Sequence, residues 1–278
     1  MEPEEVIRKI EEVEIQGATA VAERGIELLK ELEDEGREGE IEDYRQELRD
    51  ARPTEPLLFN ALDISKDRGY GPVLEHIRDA KEMIVENGSG LVEDGDVIYT
   101  HCHSSTVTSV LKEAFGEKDF EVHATETRPL YQGRTTAEEL SKEGIPVTFH
   151  IDSGALNALE EADRMFIGSD AFLPSGGAIN KIGSKLFAEA AEKRGVPVNV
   201  FVDSWKLDPE GRFEKEENIE ERPSEEVWAD APGGVRVSNP AFEKVDAELI
   251  DAVVSELGVH GPNRFIDAVR DSYPEVLR

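Results

Sequence analysis

The sequence predicts an α/β fold in two parts: a small helical domain over residues 1–90 and a doubly wound parallel sheet over residues 91–278. Two observations carry this reading. No strand candidate appears before residue 90. After Asn87-Gly88-Ser89-Gly90, short β-rich runs alternate with helix-length segments, which argues a parallel sheet covered by helices on both faces, of Rossmann-like type.

The helical part is read from apolar spacing. Val6, Ile10 and Val13, then Ala18, Val21, Ile26, Leu29 and Leu32, recur at helical intervals and are broken once at Gln16-Gly17, so two helices meet there. The acid-rich run from Glu31 to Asp43 reads as a solvated helix end and loop, and Tyr44 to Arg49 as a short helix. After the break at Arg52-Pro53-Thr54-Glu55-Pro56, helical pattern resumes over Leu57 to Ala61 and Pro72 to Val85.

In the second part, strands are expected at Val97 to Thr100, Phe120 to Thr125, Val147 to Ile151, Met165 to Gly168 and Val198 to Val202. Helices are expected at Ser105 to Phe115, Thr136 to Glu143, Ala155 to Glu161 and Ala178 to Lys193. The last of these puts Asn180 and Lys181 in the first turn of a helix, following an acid, Asp170, and a glycine-bearing loop. A loop-rich stretch from Lys206 to Ala241 precedes one more helix, Ala247 to Leu257, and a tail.

Composition narrows the function. The 62 acidic against 31 basic residues give a formal net charge of −31, yet 38% of the chain is hydrophobic and strongly periodic, so the charge belongs to a solvated surface rather than to disorder. Such a surface suits concentrated salt, a halophilic cytoplasm, where the Debye length shrinks to about 3 Å and self-repulsion is screened. It repels nucleic acid and anionic membrane, and an anionic substrate needs a local basic pocket. The single cysteine forms no intrachain disulfide and fits a reducing compartment. No segment approaches the roughly 20 apolar residues of a membrane span, and Met-Glu-Pro-Glu-Glu is not a secretory signal, so a cytosolic protein is expected.

In an open α/β sheet, ligands bind beyond the carboxyl ends of the strands. The residues at those tips are Cys102, Glu126, Asp152, Asp170 and Asp203, one thiol and four carboxylates expected to converge on one edge. Cys102 is either a small buried hydrophobe or, just before a helix N-terminus and between two histidines, a favoured thiolate. Zinc binding by His101, Cys102 and His103 is a weak reading, because adjacent residues point to opposite faces and no fourth ligand is clustered. Asp170 serves either as a turn cap or as a buried acid whose pKa desolvation raises. Asn180, Lys181 and Lys206 near strand tips suggest phosphate binding, with Arg52 at the domain junction reaching the same cleft. After the first strand stands His101-Cys102-His103-Ser104-Ser105 and not a glycine fingerprint, which disfavours dinucleotide binding.

These residues also resemble a known superfamily. Thr100 to Ser105, Glu126 to Arg134, Gly144 to Val147 with Asp152-Ser153, and Gly168 to Asp170 leading to Ile179-Asn180-Lys181-Ile182-Gly183 are similar to motifs shared by ribose-1,5-bisphosphate isomerases, methylthioribose-1-phosphate isomerases and the α, β and δ subunits of translation initiation factor 2B. The resemblance implies Cys102 and Asp170 as catalytic residues. It also implies a substrate-binding set of Gln16, Gly17, Ala18, Thr19, Arg52, Ser104, Ser105, Thr106, Asn180, Lys181 and Lys206. Because the initiation-factor subunits typically lack the Cys-Asp pair, it implies an aldose-ketose isomerase of a sugar 1-phosphate, with the ribose 1,5-bisphosphate branch and nucleotide salvage favoured by the chain's length. A non-catalytic regulatory subunit that senses a nucleotide or sugar phosphate is the competing reading. The resemblance further implies no metal or nucleotide cofactor and a homo-oligomer, dimer or hexamer. Gln16 stands where the isomerases usually carry arginine, Ser169 where they carry alanine, and Leu173 to Gly177 replaces an asparagine-containing loop.

Overall fold

The computed structural model describes residues 2–277 except Val13, Gln16, Thr54, Glu216 and Glu217. Five helices come first: α1 Pro3–Glu11, α2 Ala18–Asp34, α3 Ile41–Ala51, α4 Pro56–Arg68 and α5 Tyr70–Ser89. Proline opens α1 and α4, where its fixed φ suits the first turn and its missing N–H costs nothing. Each helix turns an apolar stripe inward; Val21, Ile26 and Leu29 of α2 face Leu57, Leu58 and Leu62 of α4 in one fully buried cluster. Burying a side chain of that kind contributes roughly 1.5–3 kcal/mol.

The sheet follows. Strands β1 Val97–Thr100, β2 Glu121–Thr125, β3 Val147–His150, β4 Arg164–Gly168, β5 Ala171–Phe172, β6 Ala178–Lys181, β7 Val198–Phe201, β8 Phe242–Val245, β9 Ala252–Ser255 and β10 Gly258–His260 divide into two sheets. The larger has the order β10-β9-β7-β4-β1-β2-β3, parallel throughout except for β10, with helices α6 Ser105–Phe115, α7 Gln132–Lys142, α8 Ala155–Glu161 and α9 Ser184–Glu192 as crossovers. The chain leaves β1 toward β2 and β3, then returns to lay β4 on its other side. That reversal opens a crevice at the carboxyl ends of β1 and β4. The smaller sheet, β5-β6-β8, is antiparallel and stands over the crevice's β4 side.

One hydrophobic core runs through both layers, from Val6, Leu29 and Leu57 to Val200, Trp205 and Val253. A link between them is Asn60 of α4, whose amide donates to the backbone carbonyls of Trp205 at 2.6 Å and Leu207 at 2.9 Å.

Two helices expected from the sequence are strands in part. Ala178–Lys181 pairs antiparallel with both β5 and β8, and the helix begins only at Ser184 because Gly183, at φ 101°, turns the chain first. Within the predicted helix Ala247 to Leu257, Ala252–Ser255 extends the large sheet beside β7, as the β-branched pair Val253-Val254 favours, and only Ala247–Leu249 makes a single 3-10 turn. The predicted tail holds a further helix, α10 Glu225–Trp228 having come before it in the loop-rich stretch: α11, Pro262–Ser272.

Candidate active site

A cavity of about 200 Å³ lies at the carboxyl ends of β1 and β4, roofed by the helical layer. Cys102 follows β1 and Asp170 follows β4, and both line it. Two helix N-termini open onto the same space. Gly17, Ala18 and Thr19 begin α2, and Ser104, Ser105 and Thr106 begin α6, where Ser104 caps the helix by accepting the Val107 N–H. The first N–H groups of a helix have no partner within it and carry its positive end, so each terminus suits an oxyanion. Gly168 makes room for α6: a Cβ there would lie 2.7 Å from Ser104 Oγ.

Cys102 is half-buried and sits at φ 68°, a conformation that a side chain rarely adopts and that its neighbours hold in place. Its N–H donates to Thr127 Oγ1 at 3.0 Å, and its carbonyl accepts from Thr136 Oγ1 at 2.9 Å. Thr127, itself at φ 63°, is fixed in turn by Asp152, which accepts the N–H groups of Thr127 and Arg128 at 2.7 Å each. Burial pushes the Cys102 thiol up to about 11, with Lys181 pulling the other way. The favoured thiolate expected from a helix N-terminus is therefore corrected: desolvation outweighs the nearby lysine, and α6 begins at Ser105, after an intervening cap.

Asp170 meets the expectation of a desolvated acid. Burial raises its carboxyl, against the pull of Lys206, Lys181 and Arg52. Those three cations line the cavity with it. Lys206 is buried and donates to the Ser169 carbonyl at 2.9 Å, and Lys181 rests 4.7 Å from the ring centre of Phe242. Asn180, buried beside Lys181, donates to Ser184 Oγ at 3.0 Å. Arg52 pairs with Glu55 and keeps Nη1 buried without a partner. Asn180 and Lys181 reach the cavity from strand β6, not from a helix terminus as expected, and the helix N-termini that face it are those of α2 and α6.

Of the predicted set, Gly17, Ala18, Thr19, Arg52, Ser104, Ser105, Thr106, Asn180, Lys181 and Lys206 come together around Cys102 and Asp170, while Gln16 lies outside the described residues. The five strand tips do not all converge. Glu126 pairs with Arg134, Asp152 braces the Thr127 backbone, and Asp203 accepts the Trp205 N–H at 2.8 Å, so each carboxylate satisfies its own loop. His101 is buried with both ring nitrogens engaged, by Thr125 Oγ1 at 2.8 Å and the Ile182 carbonyl at 2.9 Å, and burial pushes its pKa down to about 4. His103 turns to Thr136 and Glu139, so the His101-Cys102-His103 run does not gather on one ion. Glu55, Gln132 and Phe242 also line the cavity and escape a reading of the sequence, as does Ser169, noted there only as a departure from alanine. Glu55 had one available signal, its place between Pro53 and Pro56 at the junction where Arg52 stands.

The fold and cleft define an α/β protein of the doubly wound type that holds a thiol, an acid and three cations at its strand-reversal point. The chain belongs to the initiation factor 2 subunit family, whose family model matches residues 68–262. It is 33% identical to a Thermococcus kodakarensis protein named ribose 1,5-bisphosphate isomerase, over 99% of this chain and 95% of that relative. It is 36% identical to a Thermosipho africanus methylthioribose-1-phosphate isomerase, over 80% of this chain and 74% of the relative. Among solved structures it is similar to a Pyrococcus horikoshii protein described as translation initiation factor eIF-2B, with TM-score 0.82 and 29% identity, covering 94% of this chain and 98% of that one.

Proposed function

We propose that the protein is a sugar-phosphate aldose-ketose isomerase that converts α-D-ribose 1,5-bisphosphate to D-ribulose 1,5-bisphosphate. The observation that carries this reading is the meeting of two helix N-termini with Arg52, Lys181 and Lys206 in one small cavity that also holds Cys102 and Asp170. Two anion cradles suit a bisphosphate, and about 200 Å³ suits a pentose better than a dinucleotide. The naming of relatives that align with nearly the whole chain supports the same substrate.

The C1 phosphate blocks the free aldehyde, so the ring must open before hydrogen moves. Protonated Asp170 gives its proton to the ring oxygen as the bond from that oxygen to C1 breaks, leaving an oxocarbenium at C1. The Cys102 thiolate takes the proton from C2, giving an enol across C1 and C2. The Asp170 carboxylate then removes the C2 hydroxyl proton, and the Cys102 thiol returns its proton to C1, which closes the balance as a 2-ketose with both phosphates in place. Lys181, Lys206, Arg52 and the helix N-termini hold the phosphates and offset the charge of the enol.

The net charge of −31 supports a salt-rich cytoplasm as its setting. Exposed Phe149 on the edge strand β3, Ile151 just after it and Leu156 at the start of α8 support self-association as a homo-oligomer, dimer or hexamer. No described helix is long and apolar enough to cross a membrane. The helical part to residue 90 serves as the roof of the site and the remainder as its floor. The experiment is to incubate the purified protein with α-ribose 1,5-bisphosphate and follow ribulose 1,5-bisphosphate. Turnover is expected in the wild type and absent in Cys102→Ser and Asp170→Asn of unchanged circular dichroism. A wild type inert on ribose 1,5-bisphosphate and on methylthioribose 1-phosphate overturns the reading.

A further inference from the structure

Behind the cavity, on the far side of the turn that carries Lys206, a second polar cluster takes no part in the proposed chemistry. His76 comes from α5, Asp203 from the end of β7 and Glu256 from the end of β9, and one donor atom from each lies within 4.8 Å of the other two. His76 Nε2 and Asp203 Oδ1 are 3.5 Å apart. Two ligands of a tetrahedral ion with bonds of about 2.0–2.1 Å are separated by about 3.4 Å.

The surroundings are those of an ion site. Asp203 is 6% and Glu256 5% exposed, and no lysine or arginine pairs with either among the described residues, so the basic group set against the two buried carboxylates is His76. His76 Nε2, Glu256 Oε1 and Ser204 Oγ are buried without hydrogen-bond partners. Outer contacts already orient the donors, as metal ligands require. Glu256 Oε2 accepts the Ser204 N–H at 3.2 Å, Asp203 Oδ1 accepts the Trp205 N–H, and the His76 ring stacks on Trp205 at 3.7 Å with Tyr273 edge-on at 5.1 Å.

We propose that His76, Asp203 and Glu256 bind one divalent transition ion of zinc's size and ligand preference, which ties α5 to the Ser204–Lys206 turn. One imidazole and two carboxylates suit zinc, cobalt or manganese. The ion's place is structural: it fastens the turn from which Lys206 reaches the cleft, and the proposal stands whether or not the isomerase reading does.

The test uses the full chain stripped with EDTA and titrated separately with Zn²⁺ and Co²⁺. One equivalent of each is expected to bind, raising Tm by roughly 5 °C at a hundredfold excess over Kd. The Co²⁺ form should show visible d–d bands without sulfur charge transfer. His76→Gln and Glu256→Gln should each weaken Co²⁺ binding by more than the roughly 10–100-fold that losing an outer partner costs, whereas Cys102→Ser keeps it. Absence of stoichiometric binding to the stripped wild type overturns the proposal, even if the variants fail to fold. So do binding that survives both substitutions and cobalt spectra carrying a thiolate band.

Discussion

Thr127 Oγ1 lies 3.0 Å from the amide nitrogen of Cys102, so one hydroxyl secures a thiol-bearing residue in the left-handed region at φ 68°. The contact acts on position rather than on chemistry. Thr127→Val keeps the shape and removes the acceptor; kcat on ribose 1,5-bisphosphate should fall on the order of 100-fold, the cost of misplacing a reacting group by about 1 Å. KM should hold within a few fold and Thr127→Ser should restore most of the rate, and steady-state kinetics on the three proteins checks both.

Gly168 touches the other half of the site. Adding a methyl there puts it 2.7 Å from Ser104 Oγ, so Gly168→Ala must push the start of α6 away from β4. Overpacking of this kind costs roughly 1–3 kcal/mol. The expected outcome is a denaturant midpoint lowered to match and a raised KM, because Ser104, Ser105 and Thr106 move with the helix; an unchanged KM in a destabilised variant would separate packing from substrate binding.

The proposed mechanism needs its two titrating groups in opposite forms. Burial raises both Asp170 and Cys102, the latter to about 11, and the proposed turnover uses protonated Asp170 and the Cys102 thiolate. The doubly correct form holds a constant fraction between the two pKa values. A plot of kcat/KM against pH should therefore rise tenfold per unit below the pKa of Asp170, run flat, and fall again near pH 11. The acid limb should begin above the ordinary Asp range.

Glu55 links pH to stability. Burial raises its carboxyl from an ordinary 4.5 to about 7, with Arg52 only partly opposing. A folded pKa raised above the unfolded one contributes stability that is complete below pH 4.5 and lost as pH climbs through 7. Glu256 shifts to about 7 for the same cause. In metal-free protein, unfolding free energy should drop by a few kcal/mol across this window, and Glu55→Gln should remove about half of the drop. Urea titrations at pH 4.5, 6 and 8 measure it.

How much of this was legible depended on the range of the forces involved. The alternation of strands and helices after residue 90 is a local pattern, and Val97–Thr100, Ser105–Phe115 and Ala155–Glu161 fall where periodicity puts them. Ala178–Lys181 and Ala252–Ser255 were read as helix although each also pairs with a near neighbour, β5 and β10; only their other partners, β8 and β7, lie far along the chain. The same limit applies to the acids. Asp152 and Asp203 look alike as strand-tip carboxylates, and only the fold shows one spent on Thr127 and the other on the Trp205 turn. Cys102, Asp170 and Lys181, which the fold brings to one cavity, could be singled out in the sequence by residue type and by place near strand tips. Glu55 is harder to find, since one glutamate among 62 acidic residues carries no mark of burial beyond its place between Pro53 and Pro56.

The bond pair from Asn60 to the carbonyls of Trp205 and Leu207 brackets Lys206 from both sides of its own residue. The address of that lysine is thus written in α4, more than a hundred positions earlier in the chain. Divergence within this fold is constrained accordingly: α4 and the turn after β7 can drift only in concert, and a helical layer borrowed from a relative would have to bring its own matching turn or leave the lysine misdirected.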